Sequence, residues 1–397
     1  MKIARVIYEW PPPWDLSIHA IELTKAQIKL GHTFEVFSAR WPKAGPLETP
    51  PNVKVNYVWR APLEGTAGIT SSIMSFLQYF FWRKNNEIDL LHTHGHFGVW
   101  ILFYRSILKK FFPWAKELHV PHVAHFHNTV AGRKKTLVEN GVTPKPISKF
   151  LDWPISEFSD KLAVKNAQAC IFVSDATRLE AIKYYDADPS KCYVVESGVN
   201  ITQFKKTDKP EREITRDELG FTNLDKVVLY TGKFVERKNI HLLIEALTLL
   251  PQEYKLLLLG AGDALYIDRL DSMIDKLKLK ERVIKGGYTP YPQMHIAYQS
   301  ADIFVIPSSW EGLPKSVMEA LACEIPVLAS GFKTQEHING LVYLESVTAQ
   351  EIADQIRIIV ENPPLVDVIK IIHDHSWDAK AKQVESIYNN VKENYLK

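Results

Sequence analysis

Short apolar runs of strand length alternate with amphipathic segments of helix length along the whole chain. In the first half the strand-like runs are KIARVIYE, TFEVFSA, VKVNYVW, IDLLHTH, HVAHFHN, AQACIFVS and CYVVES. In the second half they are KVVLYTG, KLLLLGAG, RVIKGG, ADIFVIPS and IPVLAS. Nearly continuous apolar strands separated by helices are typical of parallel sheets that helices cover on both faces. The pattern therefore predicts an α/β chain built from doubly wound parallel sheets.

The rhythm of strands and helices is interrupted once, and 397 residues are more than one ordinary core holds. The stretch Ile201–Phe221 is polar and charged and contains a proline and a glycine, which predicts a linker. We therefore expect two Rossmann-like domains that face a central cleft, with residues 1–205 in the first and residues 206–375 in the second. A last amphipathic segment, Ser376–Tyr395, predicts one more helix.

The composition is that of an ordinary globular protein, with 46% hydrophobic and 24% charged residues. Cys170, Cys192 and Cys323 are scattered without metal-ligand spacing, so we expect buried thiols and no disulfide framework. The first residues predict a strand and not a secretory signal, and no apolar run of about 18 residues could span a membrane. The sequence therefore predicts a cytoplasmic protein.

The net charge of +2 hides a difference between the two halves of the chain. Residues 1–210 carry 27 of the 48 Lys and Arg and 19 of the 46 Asp and Glu. The remaining residues carry 21 Lys and Arg against 27 Asp and Glu. A basic first half suits an anionic membrane or a phosphorylated ligand. Ordinary variation in surface composition explains the same difference, so the charge alone does not decide between these interpretations.

Ligands of doubly wound sheets bind beyond the carboxyl ends of the strands, so the residues that follow each strand are candidates for a site. The run ADIFVIPS is followed by SWEGLPKSVMEALAC. Pro314 suits the first turn of a helix, because its missing N–H would be unpaired there. Glu311 then lies in the loop and Glu319 on the helix, where both can face one ligand. Two solvated carboxylates at a helix end explain the same spacing.

Groups that bind anions follow two of the strands. The free backbone N–H groups of Lys315, Ser316 and Val317, at the start of the helix after Pro314, would form an anion site assisted by the helix dipole. Lys233 and Lys238 stand in the loop after KVVLYTG. Two cations at the carboxyl end of a strand can clamp a pyrophosphate, and a solvated basic loop is the alternative.

Glycines and histidines follow the other strands. Gly260 and Gly262, after KLLLL, lack the full dinucleotide fingerprint and predict a tight turn where a ligand or the chain approaches closely. The alternating histidines of IDLLHTHGH have a spacing that metal ligands can have, but no carboxylate or Cys follows them closely, and we expect no metal. His127 ends another strand, where it can donate to a ligand hydroxyl, although a core or capping histidine is the default.

Taken together and in this order, these segments resemble the retaining glycosyltransferases of family 4, which have the GT-B fold. EGLPKSVME matches the family's E-x7-E element, and GKFVERKN its G-R-x4-K-G phosphate loop, with Lys233 in place of Arg. SGVNITQF is similar to the N-G-V-D-x3-F segment, with Ser197 in place of Asn. Leu30, Gly31 and His32 resemble the G-H end of the family's L-x-x-x-G-H pattern, and HSWDAKAKQVESIY resembles the terminal segment. The resemblance covers nearly the whole chain.

The resemblance implies a hexosyltransferase that uses a UDP-, GDP- or ADP-sugar and needs no metal or other cofactor. Glu319 would bind the ribose of the donor, and Glu311 would bind the transferred sugar. Lys233 and Lys238 would neutralise the departing diphosphate, an interaction that is stronger in the transition state than in the ground state. His127 would lie against the donor sugar, and the departing phosphate would assist deprotonation of the acceptor on the same face. The remaining expected donor contacts are Gly312, Leu313, Pro314, Lys315 and Ser316.

The resemblance also implies that the second domain binds the nucleotide sugar, and that the helix at 376–397 packs on the first, acceptor-side domain. Trp14 and Asp15 stand where the family has Gly-Gly, while His19 aligns with the family pattern. Arg133 and Lys134 are the candidates for holding an acceptor phosphate. The segments near residues 336–343 and 362–375 are shorter than the family pattern. The acceptor would be a hydroxyl of a sugar, a sugar or inositol phosphate, or a lipid-linked glycan.

Two segments, SFLQYFFWRK and SILKKFFPWAK, combine aromatic clusters with Lys and Arg, as stretches that lie on an anionic membrane do. Core-facing helices explain them as well. We expect peripheral attachment to the inner face of the cell membrane, a role in glycan or polysaccharide biosynthesis, and no nucleic-acid partner. A GT-B-type epimerase and a degenerate nucleotide-sugar-binding or scaffold protein are the alternative functions.

Overall fold

Apolar segments of the chain pair as parallel strands in two separate sheets of a computed structural model of the protein. The structure describes residues 1–10, 15–39, 49–62, 66–95, 99–100, 103, 107, 110–111, 119–139, 146, 148–311, 313–334 and 336–396. Its two compact units are Met1–Ser197 with Trp377–Lys397, and Gly198–Ser376. Each unit contains one of the two sheets.

The sheet of the first unit has seven strands, and neighbouring strands are parallel. They are β1 (Lys2–Glu9), β2 (Thr33–Ala39), β3 (Val53–Val58), β4 (Leu90–His94), β5 (His122–Phe126), β6 (Ala169–Phe172) and β7 (Cys192–Val194). The spatial order is β3-β2-β1-β4-β5-β6-β7. Strand addition therefore reverses its direction between β1 and β4, which is where open α/β sheets bind ligands.

Helices of the first unit connect these strands as parallel pairing requires. They are α1 (Asp15–Lys29), α2 (Ala67–Arg83), α3 (Val130–Glu139), α4 (Trp153–Asn166) and α5 (Asp175–Tyr185). Ser174 caps α5, and its side chain accepts a hydrogen bond from the backbone N–H of Thr177. The strand β4 is buried along its whole length, as a strand covered on both faces must be.

The sheet of the second unit has six strands, again with parallel neighbours. They are β8 (Lys226–Thr231), β9 (Tyr254–Leu259), β10 (Val283–Gly287), β11 (Ile303–Pro307), β12 (Val327–Ser330) and β13 (Leu341–Tyr343). The spatial order is β10-β9-β8-β11-β12-β13. The direction of strand addition reverses between β8 and β11, so the loops after these two strands border the expected ligand position.

The helices of the second unit enclose that sheet. They are α6 (Lys209–Glu218), α7 (Ile240–Thr248), α8 (Ala264–Lys276), α9 (Met294–Ser300), α10 (Lys315–Ala322), α11 (Ala349–Glu361) and α12 (Val368–His375). Two clusters of buried apolar side chains fill the space between the helices and the sheet. The two-sheet α/β architecture predicted from the alternating pattern is confirmed.

The prediction of a linker at Ile201–Phe221 is wrong, because this stretch contains α6. The side chain of Asp208 caps the helix by accepting from the N–H of Glu211 at 2.9 Å. Pro210 lies in the first turn, where it interrupts no backbone hydrogen bond. Arg216 then anchors the helix through an ion pair with Asp302 at 2.6 Å.

The last helix, α13 (Trp377–Leu396), belongs to the first unit. Val384 and Tyr388 are fully buried in the same apolar cluster as Ile3 and Leu23. At the surface, Lys29 of α1 bonds Asp378 at 2.9 Å. No helix in the described part of the chain combines the length and the apolar character needed to cross a bilayer.

Candidate active site

The loops that follow β8 and β11 are bonded to each other at the reversal point of the second sheet. The N–H of Ser309 donates to the carbonyl of Arg237 at 2.8 Å. The side-chain amide of Asn239 donates to the carbonyl of Pro307 at 2.9 Å. These bonds fix the predicted diphosphate loop against the predicted sugar-binding loop.

Glu311 lies in the loop after β11 and faces the loop after β8. Its Oε1 atom accepts a hydrogen bond from the ammonium of Lys238 and another from Arg237 at 3.1 Å. The side chains of Glu311 and Lys238 are each 10% exposed. The backbone N–H of Glu311 donates to the carbonyl of Gly331 at 2.8 Å, which holds this loop on the end of β12. Two of the predicted catalytic residues are thus brought into contact.

Glu319 lies on α10 and is 6% exposed. Its Oε2 atom accepts from the hydroxyl of Tyr298 at 2.9 Å, and the same hydroxyl lies 3.0 Å from Oγ1 of Thr231. Thr231 is the last residue of β8. Glu319, which is predicted to bind the ribose, is therefore buried and connected through Tyr298 to β8, the strand that leads into the predicted diphosphate loop.

Lys233 differs from Lys238 in its surroundings. Its side chain is exposed, and no described residue bonds its ammonium. Its backbone carbonyl accepts from the hydroxyl of Tyr230 at 3.0 Å, so the main chain is held while the side chain extends into solvent. The two predicted phosphate-binding lysines thus comprise one buried, paired cation and one exposed cation.

The start of α10 matches the prediction in part. Pro314 occupies the capping position and the helix begins at Lys315. The N–H of Val317 donates to the carbonyl of Pro314 at 3.1 Å, so the expectation that this N–H is free is wrong. Leu313 packs against the apolar cluster of the second unit, and Ser316 is half-buried. Gly312 lies outside the described residues.

Gly260 and Gly262 allow two loops to approach closely. A Cβ atom on Gly260 would lie 1.9 Å from the carbonyl oxygen of Gly232, and one on Gly262 would lie 2.1 Å from that of Phe234. Gly260 also has a φ of +146°, which side chains rarely allow. The close approach predicted from the G-x-G spacing is made by the chain itself, and it supports the loop that carries Lys233.

Histidines of β4 and β5, together with the one that follows Phe126, form stacked rows at the carboxyl edge of the first sheet. The rings of His92 and His94 are 4.6 Å apart, because alternate residues of a strand share a face. The rings of His125 and His127 are 5.0 Å apart and within 3° of parallel. Nδ1 of His94 lies 3.2 Å from Nε2 of His127. His127 is half-buried, so it is the outermost ring of this pair of rows.

His19 lies on α1 above these rows and is buried. Its ring meets those of His125 and His127 edge-on, at 4.9 and 4.8 Å between ring centres. Nδ1 of His19 lies 3.0 Å from Oγ of Ser197. Two further acceptor-side predictions lie outside the described residues, namely Trp14 and the side chain of Asp15. His96, in the same row by sequence, also lies outside them.

Two groups of three histidines among the described residues bring ring nitrogens within 4.8 Å of one another. They are His19, His125 and His127, and His92, His94 and His125. The rings of the second group stack within 18° of parallel, so their lone pairs do not converge without rotation. The guanidinium of Arg5, 3.3 Å from Nδ1 of His92, opposes a cation there. The expectation that the protein needs no metal stays a prediction.

Burial keeps the inner histidines neutral. It lowers the pKa of His94 and His125 well below the ordinary value, and the positive charge that neighbouring rings could carry lowers the pKa further. His94 and His125 are therefore uncharged at neutral pH, and they place no buried charge behind His127.

The candidates for an acceptor phosphate lie on α3, next to β5. Arg133 is exposed. The ammonium of Lys134 is paired with Glu157 and lies 5.8 Å from the ring centre of Trp153. Lys134 is therefore partly neutralised. The start of α3 is held by Asp160, whose Oδ2 accepts from the N–H of Val130 at 2.9 Å.

Asp160 is nearly completely buried, and its surroundings change its acidity. Burial raises the pKa of this carboxyl to about 7, although the hydrogen bonds from Val130 and Tyr185 act in the opposite direction. The hydroxyl of Tyr185 lies 3.1 Å from Oδ2 and also accepts from the N–H of Ala131 at 2.9 Å. A titratable group thus supports the first turn of the helix that carries Arg133.

Three residues of the second-unit site were not predicted: Arg237, Tyr298 and Thr231. Arg237 stands beside Lys238 in the ERK segment, so a third cation near the loop was visible in the sequence. Tyr298 precedes β11 by a few residues and has no spacing signal, because its partners come from α10 and β8. Only the three-dimensional strand order brings these residues together.

Two family models match the chain and leave little of it uncovered. "Glycosyltransferase Family 4" matches residues 16–203, and "Glycosyl transferases group 1" matches residues 211–390. A D-inositol 3-phosphate glycosyltransferase of Kineococcus radiotolerans is 26% identical over 338 residues, which are 79% of this chain and 72% of that protein. An uncharacterized glycosyltransferase of Methanocaldococcus jannaschii is 23% identical over 410 residues, covering 98% of both chains.

Solved structures share the fold over nearly the full length. Sucrose-phosphate synthase from Thermosynechococcus elongatus has a TM-score of 0.76 at 19% identity, with 99% of both chains covered. The structure of Anabaena HepE in complex with UDP and glucose has a TM-score of 0.63 at 19% identity, with 99% of this chain and 98% of that chain covered. Likeness at this level of identity concerns the fold.

Proposed function

This chain is a member of the family 4 glycosyltransferases of GT-B fold, and from that premise we propose that it transfers a hexose from a nucleoside-diphosphate sugar to a hydroxyl, with retention of the anomeric configuration. One observation carries the proposal: at the reversal point of the second sheet, Glu311 bonds Lys238 in the loop after β8, and the hydroxyl of Tyr298 connects Glu319 to Thr231, the last residue of β8. A carboxylate for ribose, a carboxylate for the sugar and cations for the diphosphate are the groups such a donor needs.

In the proposed reaction the bond between the anomeric carbon and the β-phosphate oxygen breaks. The acceptor oxygen forms the new bond on the same face, and its proton passes to the leaving phosphate. Lys238 and Lys233 stabilise the negative charge that grows on that phosphate, which lowers the barrier more than it tightens substrate binding. His127 binds a hydroxyl of the transferred sugar.

For the acceptor we propose a sugar or inositol phosphate. The D-inositol 3-phosphate glycosyltransferases among the relatives support this choice by name. Arg133 supports it by chemistry, since an exposed guanidinium binds phosphate through paired hydrogen bonds. Lys134 follows Arg133 on α3 and is paired with Glu157.

The donor is tested by thermal unfolding with UDP, GDP and ADP at about 100 times the dissociation constant, where binding to the native state adds about 2.7 kcal/mol. Transfer is then followed by NMR with the matching nucleotide sugar and inositol phosphate. A product that keeps the anomeric configuration, with a rate unchanged by EDTA, is the expected result. No shift with any of the three nucleotides would exclude a UDP-, GDP- or ADP-sugar donor.

The same NMR experiment separates the alternative enzymes. An epimerase would change the configuration of the donor sugar without an acceptor. A degenerate binding protein would show a thermal shift and no reaction. Inversion at the anomeric carbon would overturn the retaining mechanism and leave the donor assignment intact.

We also propose that the first unit attaches to an anionic membrane through α2. Met74, Leu77 and Phe81 are spaced three and four residues apart, so they share one face, and they are 36%, 40% and 61% exposed. Lys84 lies over the ring of Phe81 at 5.3 Å, and Arg83 precedes it. An apolar helical face bordered by cations is the pattern of interfacial helices. Most of the second segment, SILKKFFPWAK, lies outside the described residues.

Sedimentation with vesicles tests this attachment. The protein should pellet with vesicles that contain anionic phosphatidylglycerol and should stay in solution with phosphatidylcholine alone. Phe81→Glu should abolish pelleting. Leu224→Glu, at a site of the second unit that is 83% exposed, is the matched control and should not. Equal pelleting of wild type and Phe81→Glu would overturn the proposal.

A further inference from the structure

Tyr298 is a buried tyrosine whose hydroxyl touches the candidate site. It lies on α9 and is completely buried. Its ring packs edge-on against Phe204 and Phe304, each 5.7 Å away between ring centres. The apolar cluster therefore fixes the ring, and the position of the hydroxyl follows from it.

The hydrogen bonds of this hydroxyl have one consistent direction. An ionised carboxylate only accepts, so Tyr298 donates to Oε2 of Glu319 at 2.9 Å. The hydroxyl has a single proton, so Thr231 must donate to the oxygen of Tyr298 across 3.0 Å. The resulting chain runs from Thr231 to Tyr298 to Glu319. All three residues are no more than 6% exposed.

The tyrosine remains a donor over the working range of pH. Burial raises the pKa of Tyr298 well above its ordinary value, and the negative charge of Glu319 raises it further. A hydrogen bond between buried partners, one of them charged, is stronger than one exposed to water. The carboxylate of Glu319 is therefore held in one orientation.

The chain also connects two parts of the site. Thr231 ends β8 and precedes Gly232 and Lys233, the first residues of the diphosphate loop. Glu319 lies one turn into α10. The side chain of Tyr298 thus links Glu319, which is proposed to bind the ribose, to β8. The residues proposed to bind the diphosphate lie in the loop that follows this strand.

We infer that Tyr298 and Thr231 are positioning residues that orient Glu319 toward the ribose hydroxyls and thereby make the enzyme prefer ribonucleotides to 2′-deoxyribonucleotides. The inference rests on the proposed function, because it takes Glu319 as the ribose ligand. Pre-orienting one carboxylate removes the loss of side-chain freedom that binding would otherwise require. Its effect is therefore on affinity for the ribose and not on the bond-breaking step.

The test measures the dissociation constants of UDP and 2′-deoxy-UDP, or of the matching pair if GDP or ADP is the nucleotide that binds. Wild type should prefer the ribonucleotide. Tyr298→Phe removes only the hydroxyl and should weaken UDP binding about three- to tenfold, the effect of one hydrogen bond. Its affinity for 2′-deoxy-UDP should change less, so the preference falls. The KM for the donor should rise while kcat at saturation stays within about twofold.

Two further variants separate positioning from folding. Thr231→Val should lower the preference, and Thr231→Ser, which keeps the hydroxyl, should restore it. Tyr254→Phe is the matched control, because Tyr254 is a buried tyrosine of the same unit in the other apolar cluster. Circular dichroism and the melting temperature confirm that each variant is folded.

The outcomes distinguish this inference from the proposal on which it rests. If Glu319→Gln abolishes the preference and Tyr298→Phe retains it, the positioning role is wrong and the ribose assignment stands. If wild type binds both nucleotides equally, the positioning role and the assignment of Glu319 to the ribose are both wrong. If Thr231→Ser behaves as Thr231→Val, the hydroxyl of Thr231 has no part in the chain.

Discussion

Glu311 and Lys238 form an ion pair in which each side chain keeps only 10% of its surface exposed. The same carboxylate oxygen also accepts from Arg237 at 3.1 Å. A diphosphate that binds Lys238 must therefore compete with Glu311 for the donors of the ammonium. The ion pair keeps Lys238 in place, and the carboxylate of Glu311 neutralises part of the positive charge of the lysine.

Glu311→Gln should separate nucleotide affinity from turnover. The amide still accepts a hydrogen bond but no longer competes as an anion, so UDP affinity should stay equal or increase. Turnover should fall at least about tenfold, because the proposed contact to the transferred sugar is weakened. Calorimetric titration and initial rates measure the two quantities. A loss of UDP affinity as large as the loss of turnover would contradict the assignment of Glu311 to the sugar.

Lys238→Met and Lys233→Met should differ in their response to salt. Lys238 is buried beside Glu311, so its loss should weaken UDP relative to uridine at both about 0.05 and about 0.5 M salt, since buried charges are little screened. Lys233 is exposed, so its smaller effect should shrink at the higher salt. Titrations at both salt concentrations measure the ratios. Identical salt dependence of the two variants would contradict the division into a buried and an exposed cation.

The strands and most helices of this chain are visible in its sequence because their signals are local. Residues of β11 are apolar without interruption, and α5 begins at Asp175, directly after the capping Ser174. α6 was missed because a proline in a polar stretch predicts a break, whereas the first turn of a helix accepts proline as well. Local patterns therefore identify the layers, and they misjudge segments held by a buried polar residue such as Arg216.

The candidate site is less predictable, because its contacts join distant segments. Glu311 and Lys238 were each placed after a strand, yet their pairing follows from β8 lying next to β11. The histidine rows show the same limit. The spacing of two between His92 and His94 predicts a shared face, but the second row joins it only because β5 pairs with β4.

Gly260→Ala should displace the diphosphate loop. The added Cβ would lie 1.9 Å from the carbonyl of Gly232 and would need a φ of +146°, so the free energy of unfolding should fall by about 1–3 kcal/mol. UDP affinity should fall more than uridine affinity, because Gly232 precedes Lys233. Urea unfolding and titrations measure both effects.

Gly220→Ala is the control for this prediction. Gly220 has a φ of +81°, and a Cβ there would meet nothing within 4 Å. An alanine at Gly220 would also need a positive φ, but it would meet no collision. Gly220→Ala should lower stability and leave the ratio of UDP to uridine affinity unchanged. If the ratio of UDP to uridine affinity falls equally in both variants, backbone strain, and not displacement of the loop, causes the loss of UDP affinity.

Asp160→Asn should change how stability depends on pH. The folded-state pKa of Asp160 is about 7 against an ordinary value of 3.8, so between these values the folded protein binds one more proton than the unfolded chain does. Wild type therefore loses stability as pH rises from about 4 to 7, with a contribution of up to about 1.4 kcal/mol per pH unit, and no further loss comes from this group above that range. The amide introduced by the substitution cannot ionise, so the variant should gain stability relative to wild type across the same interval. Urea unfolding at pH 5 and pH 8 measures the difference, and parallel profiles of the two proteins would show that Asp160 ionises normally in the folded state.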